Sequence, residues 1–321
     1  MFRILAIFLA LLWLHPAPLL GEEEENQRSG PLLPPADVIG QLTKRLLNDP
    51  DGRMTKTAKR ILGKRGTDFL FYIPTHDEPK TPRDYGLNYE DVEFQSKDGT
   101  KLHGWFIPAS GAGEAKATIV FSHGNSGSLG HHLPFVSWLP AQGFHLFMYD
   151  YRGYGKSQGK PTRKGLVEDA QAAFRTAAAR PEPAAKRLLS FAHSLGCAKS
   201  IAAVALDPPP GLKGVVVVSG FSSYKEIAKI WGGQVGANLT NDNLAPVKLI
   251  AKISPTPILI VHGELDEIVP FAEGRVLAAA ARQPKQFIRI PHAHHNDILS
   301  IDNAKWSRSI LAWMNAHTRS K

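Results

Sequence analysis

From about Tyr85 onward the apolar residues fall into a regular rhythm of short runs and longer spaced patterns. Short runs rich in Val, Ile, Leu and Phe predict strands at 90–95, 102–107, 117–122 (ATIVFS), 144–149 (FHLFMY), 188–192 (LLSFA), 215–219 (VVVVS), 257–262 (PILIVH) and 286–290 (QFIRI). Apolar positions at helical spacing predict helices at 133–142, 164–180, 197–206, 272–282 and 303–317. Several central strands are unbroken apolar runs. A strand reads that way when both its faces are covered, as parallel sheets under helices require. Strands and helices in alternation therefore predict an α/β domain over 85–321 with a mostly parallel sheet.

Upstream the pattern changes. Residues 22–36 are acidic and then proline-rich, and read as a linker; 37–48 have helical spacing at Val38, Leu42 and Leu46. Together 22–84 form a linker and helical N-terminal extension. Within it, 53–65 (RMTKTAKRILGKR) carry six basic residues and no acidic one. Arg53, Lys56, Arg60 and Lys64 share one face of a helix. That face is either simply solvated or suited to an anionic membrane surface.

At the start, Met1-Phe2-Arg3 is a positive n-region and Ile4–Leu14 an unbroken apolar run, followed by His15, Pro16 and Pro18. The run is shorter than the roughly 20 residues of a membrane span, so residues 1–21 read as a signal peptide cleaved near Gly21, with an uncleaved anchor as the alternative. The mature chain is expected to be exported, periplasmic or secreted. A formal charge of +9 over 321 residues adds solubility or attraction to anionic surfaces. One cysteine, Cys197, excludes an internal disulfide framework and argues against a thiolate zinc site.

Candidate chemistry begins with "LLSFAHSLGCAKSIAA", where Ser194 stands between a predicted strand and a predicted helix. A sharp turn there lifts the hydroxyl clear of its neighbours and sets it at a helix N-terminus. Crowding requires tiny residues two before and two after, here Ala192 and Gly196; the usual pattern is G-x-S-x-G, and Ala192 departs from it. A serine needs a histidine base, and the base a carboxylate to fix its tautomer. "PILIVHGELDEIVP" puts Asp266 after a strand, and "FIRIPHAHHNDI" puts His295 after the next. "TIVFSHGNSGS" offers the Asn125 amide, with that of Leu195, as an oxyanion pair. Phe221, Tyr224 and Trp231 are candidates to line an acyl pocket, or else they pack on the sheet.

"SHGNSG", "YDYRGYGKSQGKP", "AHSLGC", "HGELDEIVP" and "HHNDI" together resemble the α/β-hydrolase superfamily of serine hydrolases. Within it they are similar to the small-lid group of protein depalmitoylases, monoacylglycerol hydrolases and many bacterial esterases. The resemblance implies an eight-stranded, mostly parallel sheet covered by helices on both faces, a short cap at about 220–254, and acyl hydrolysis without a cofactor. It carries nucleophile, acid and base onto Ser194, Asp266 and His295. It implies a small-molecule or lipid acyl ester as substrate, with no nucleic-acid partner.

Rival readings exist for the same residues. Glu264 and Glu267 flank Asp266, but H-G-x-x-D-x-x-V-P selects the aspartate. His292 and His294 compete with His295, which the following Asn-Asp favours; Asp297 then reads as structural. His292, His294 and His295 lack the further ligands of a metal cluster. His131 and His132 read as exposed residues or pocket rim. Asp150–Gly155 (DYRGYG) is spaced like a phosphate loop without its G-K-[ST] ending, and reads as a loop bracing the active-site side of the sheet. Three functions fit: an ester or thioester hydrolase, a serine peptidase of the same fold, and a non-catalytic binding module. The first can also work at a membrane surface.

Overall fold

The computed structural model describes Gly52, Lys56, residues 68–111 and residues 113–319. The expected signal segment 1–21, most of the extension 22–84 and nearly all of the basic segment 53–65 lie outside the described residues. Among the described residues no helix is long and apolar enough to cross a membrane.

Eight strands form the main sheet: β1 (Glu90–Gln95), β2 (Lys101–Ile107), β3 (Thr118–Ser122), β4 (His145–Tyr149), β5 (Leu188–His193), β6 (Leu212–Val218), β7 (Ile258–Gly263) and β8 (Lys285–Ile290). They lie in the order β1-β2-β4-β3-β5-β6-β7-β8. β2 runs antiparallel to both its neighbours, and every other pair is parallel. The helices are α1 (Leu129–Val136), α2 (Arg163–Ala178), α3 (Leu195–Leu206), α4 (Tyr224–Leu239), α5 (Pro246–Leu249), α6 (Phe271–Ala280) and α7 (Ile301–Thr318). The expected eight-stranded α/β architecture is therefore present.

Side-chain alternation explains the two covered faces. Ile119 and Phe121 of β3, Leu189 and Phe191 of β5, Val216 and Val218 of β6, and Leu259 and Val261 of β7 form one core with Leu133 of α1 and Met314 of α7. Register holds them in line: Phe121 faces Phe191, Phe191 faces Val216, and Val216 faces Leu259. Gly214 in β6 lets the Trp313 ring of α7 come so close that any Cβ there would overlap it. The alternate residues Val120, Ser190, Val215, Val217 and Ile260 are equally buried on the other face. There the Ser190 and Ser200 hydroxyls join β5 to α3.

The chain divides into two compact units, one holding Phe71–Tyr224 with Asp242–Lys321, the other including Lys225–Asn241. The first contains the whole sheet and begins well before Tyr85. Ile73–Pro74 pairs in parallel with Ser126–Gly127, just after β3. The segment expected as a short cap is helical over α4, interrupted by non-helical Gly232 and Gly233, and again over α5.

One helix differs from expectation. The predicted helix 133–142 is in fact α1 at Leu129–Val136, with a separate 3-10 turn at Pro140–Gln142. Pro134 looks like a first-turn residue but sits inside α1, which starts at Leu129 with Ser128 as its N-cap. The Ser128 N–H donates to His131 Nδ1 at 3.2 Å, a reciprocal cap made with His where Glu or Gln is usual.

Candidate active site

Ser194 occupies the single residue between β5 and α3. Its backbone is at φ 55° and ψ −122°, a left-handed conformation that costs a non-glycine residue of the order of 1–3 kcal/mol. The conformation is held from both sides: the Ser194 N–H donates to Val218 O at 3.0 Å, and the Cys197 N–H donates to Ser194 O at 3.0 Å. A Cβ at Gly196 would overlap the backbone carbonyls of Ser122 and His123, so the turn tolerates only glycine there. Ala192 fits fully buried. Cys197 is packed beneath the turn, and burial pushes its thiol far above the ordinary range, leaving it inert.

Asp266 lies in the turn after β7. Its Oδ1 accepts from the Ile268 N–H at 3.0 Å and the Val269 N–H at 2.7 Å, which fixes the carboxylate plane. His295 comes from the turn after β8. Its Nδ1 is 2.9 Å from Asp266 Oδ1 and 2.8 Å from Oδ2, so the carboxylate places the proton on Nδ1. The Ser194 hydroxyl then donates to His295 Nε2 at 3.0 Å. Burial pushes the Asp266 carboxyl up, but hydrogen bonds from His262 and His295, the attraction of a charged His295 and the Val269 amide outweigh it, and the group stays well below the usual carboxylate range. The His295 carbonyl is pinned too, by His193 Nε2 at 3.2 Å and the Ser219 hydroxyl at 3.3 Å.

The rival residues are engaged elsewhere. Glu264 pairs with Arg289 at 3.0 Å, and Glu267 with His294 at 3.0 Å on the exposed side. Asp297 accepts the His294 N–H at 2.7 Å within its own turn. His292 is exposed at φ 62°. Among the described residues no group of three or more His, Cys, Asp or Glu could hold a metal ion.

The turn after β3 passes directly beside Ser194: a Cβ on Gly124 would lie 3.7 Å from Ser194 Cβ and 3.1 Å from His132 Cε1. Its carbonyls are tied down. The Ile73 N–H and the Tyr154 hydroxyl both donate to Asn125 O at 2.8 Å, and the Tyr151 hydroxyl donates to His123 O at 3.1 Å. These tyrosines belong to the Asp150–Gly155 loop, which braces the turn as the sequence suggested. The loop is itself anchored. The Leu129 N–H donates to Asp150 Oδ1 at 3.0 Å, and Arg152 Nη2 donates to Asp169 Oδ1 of α2 at 2.8 Å. Removing one partner of such a buried ion pair typically costs about 3–5 kcal/mol. The Leu195 N–H opens α3, one of the amides a helix leaves without an intrahelical acceptor.

A chamber of about 720 Å³ opens beside these residues. Phe135, Trp138 and Leu299 give it apolar walls, and His132, His193 and the exposed Asn296 are among its polar lining. The His193 ring lies 5.0 Å from His295 and 4.4 Å from Phe135. Burial holds His193 well below the ordinary imidazole range, and desolvation lowers His132 to about 4, so both are neutral at pH 7. Phe221 and Tyr224, the pocket candidates from sequence, do not line this chamber. They are buried with rings 5.0 Å apart, and the Tyr224 hydroxyl accepts from Lys199 Nζ at 3.0 Å while Arg163 stacks 3.8 Å over its ring. Trp231 sits on α4 just before the break at Gly232. Sequence reasoning missed Phe135, Trp138, His193 and Leu299 because they come from three separate segments. It missed the roles of Tyr151 and Tyr154, although their spacing in DYRGYG was visible.

An eight-stranded sheet in this order, with a strained serine after the fifth strand, defines a class, and sequence comparison agrees: the chain belongs to the α/β-hydrolase family. Residues 113–244 match the family described as "Serine aminopeptidase, S33". The chain is 40% identical over 213 residues to the uncharacterized protein YfhR of Escherichia coli (strain K12), covering 66% of this chain and 75% of that one. It is 32% identical over 264 residues to the alpha/beta hydrolase domain-containing protein WAV2 of Arabidopsis thaliana, covering 75% and 85%. Among solved structures the Pyrococcus furiosus esterase Pf2001 superposes with a TM-score of 0.66 at 18% identity, over 78% of this chain and 99% of that one.

Proposed function

We propose that the protein is a serine hydrolase that cleaves carboxylic ester or thioester bonds through an acyl-enzyme on Ser194. The observation that carries this is the unbroken hydrogen-bonded line from Asp266 through His295 to the Ser194 hydroxyl. His295 Nε2 takes the hydroxyl proton as Oγ attacks the substrate carbonyl carbon. Asp266 steadies the imidazolium that forms, and the amides of Asn125 and Leu195 receive the charge on the carbonyl oxygen. Collapse returns the proton to the leaving oxygen or sulfur and leaves the acyl group on Oγ. Water, deprotonated by the same imidazole, then releases the acid.

In this reading the enzyme is exported and acts on acyl esters, and the basic segment 53–65 is suited to anionic lipid. The description of the matching family favours a peptidase as the second reading. Against it, an aminopeptidase needs carboxylates to hold the substrate ammonium, and none lines the chamber among the described residues. A fluorophosphonate probe and p-nitrophenyl esters test the proposal. The native chain is expected to label and turn over, with Ser194→Ala abolishing both. Labelling that survives in Ser194→Ala, or cleavage of aminoacyl p-nitroanilides in preference to esters, overturns it.

A further inference from the structure

We propose that the chamber beside Ser194 receives an apolar, uncharged arm of the substrate ester, and that its walls set the enzyme's selectivity for arm length and against charge. This rests on the serine-hydrolase reading.

The lining of the chamber does not include Ser194 or His295, but three observations place it next to them. Gly124 is flanked by His132 Cε1 on the chamber side and Ser194 Cβ on the other, at 3.1 and 3.7 Å from the Cβ it lacks. His193 immediately precedes the serine, and its ring packs between His295 and Phe135. Asn296, at the chamber's edge, directly follows His295. An arm attached to a carbonyl on Ser194 therefore has the chamber within reach.

The chemistry of the walls selects the arm. The volume of about 720 Å³ falls within the roughly 300–1,000 Å³ of small-molecule sites and far exceeds what an acetyl group fills. Phe135, Trp138, Pro134 and Leu299 offer apolar surface. No Asp, Glu, Lys or Arg lines it among the described residues. The imidazoles of His132 and His193 are not ion-pair partners. His193 Nε2 donates to the His295 carbonyl, and His132 Nε2 donates to Ser126 O at 2.7 Å. Asp77 stands 3.6 Å from His131 Nε2, exposed and outside the lining. A charged arm would lose its hydration here without gaining a counter-charge.

The test uses the full chain with two ester series. One is p-nitrophenyl esters from acetate to octanoate, each with ω-amino and ω-carboxyl analogues; the other is acetates of alcohols from ethyl to octyl. Alkyl fluorophosphonates of matching length report the same preference without turnover. The expected result is at least a tenfold rise in kcat/KM with arm length in one series, which identifies the arm as acyl or alkoxy. Charged analogues should be at least 100-fold slower than neutral ones. Ser300→Trp, at an exposed position of the lining, should shrink the long-to-short ratio about tenfold, and Trp138→Ala should move the optimum to longer arms. If esters turn over or probes label Ser194 with no length or charge preference, or with a preference both variants leave unchanged, the inference fails while the serine-hydrolase reading stands. If no ester turns over and no probe labels, both fail.

Discussion

Asp266 shows how much one carboxylate has to satisfy. Two backbone amides and one imidazole converge on its oxygens, with a second imidazole, His262, 3.3 Å from Oδ2. Because the net effect holds its carboxyl low, Asp266 remains ionised through the mildly acidic range. Asparagine keeps the shape but can present an amide to Nδ1, which turns the proton onto Nε2 and removes the base from Ser194. Asp266→Asn is therefore expected to lower kcat/KM on a p-nitrophenyl ester by on the order of 10⁴-fold at pH 7.5. Circular dichroism should be unchanged, and activity within tenfold of wild type would contradict the role. Ser194, Asp266 and His295 were legible in the sequence because each follows a strand, and a parallel sheet delivers strand ends to one edge. His193 was not. Nothing in "AHSLG" says that its ring turns between His295 and Phe135.

At the scale of elements, every strand of the main sheet was located to within a few residues; the central ones stood out as apolar runs because a strand covered on both faces has little room for polar residues, whereas the edge strand β1 (EDVEFQ) alternates and is half exposed. The first helix was less legible. Its proline invites a start at 133, whereas the start is set by Ser128 and the imidazole of His131. The loop Asp150–Gly155 acts as one element on another: two phenols pull on two carbonyls of the turn that carries Asn125. Tyr154→Phe removes one donor while Ile73 keeps the other on Asn125 O. The net loss of one such bond is about 1 kcal/mol. If that loss loosens the turn and so the neighbouring Asn125 amide, kcat should drop about fivefold with KM little changed. A variant that instead raises KM alone would assign Tyr154 to substrate binding.

For the whole molecule, buried titratable groups shape stability against pH. Burial holds His123 and His193 well below the ordinary imidazole value, so below about pH 6.5 the unfolded chain takes up protons that the folded chain refuses. Stability then falls with acid, by up to about 1.4 kcal/mol per pH unit for each group. Burial pushes Asp150 up to about 8, so between pH 4 and about 8 the folded chain keeps a proton that the unfolded chain has lost. That contribution falls as pH rises. On the acid side the histidines outweigh Asp150, and above about pH 6.5 Asp150 acts alone. Urea midpoints at pH 5, 6.5 and 8 should therefore peak in the middle. Asp150→Asn, which keeps an acceptor for the Leu129 N–H, should flatten the alkaline limb and steepen the acid one. A midpoint rising steadily to pH 8 would contradict this balance.

The parallel pairing of Ile73–Pro74 with Ser126–Gly127 bears on where the enzyme can be cut. Hydropathy puts the catalytic domain's edge at Tyr85, and a chain trimmed there would keep every strand of the main sheet. It would lose the Ile73 N–H, one of the two donors to Asn125 O that hold the turn carrying the Asn125 amide. Such a truncation should fold yet work slowly, whereas one beginning at Phe71 should match the parent in kcat. Any leader or tether spliced upstream must end before that residue, since the sequence just after it is already machinery.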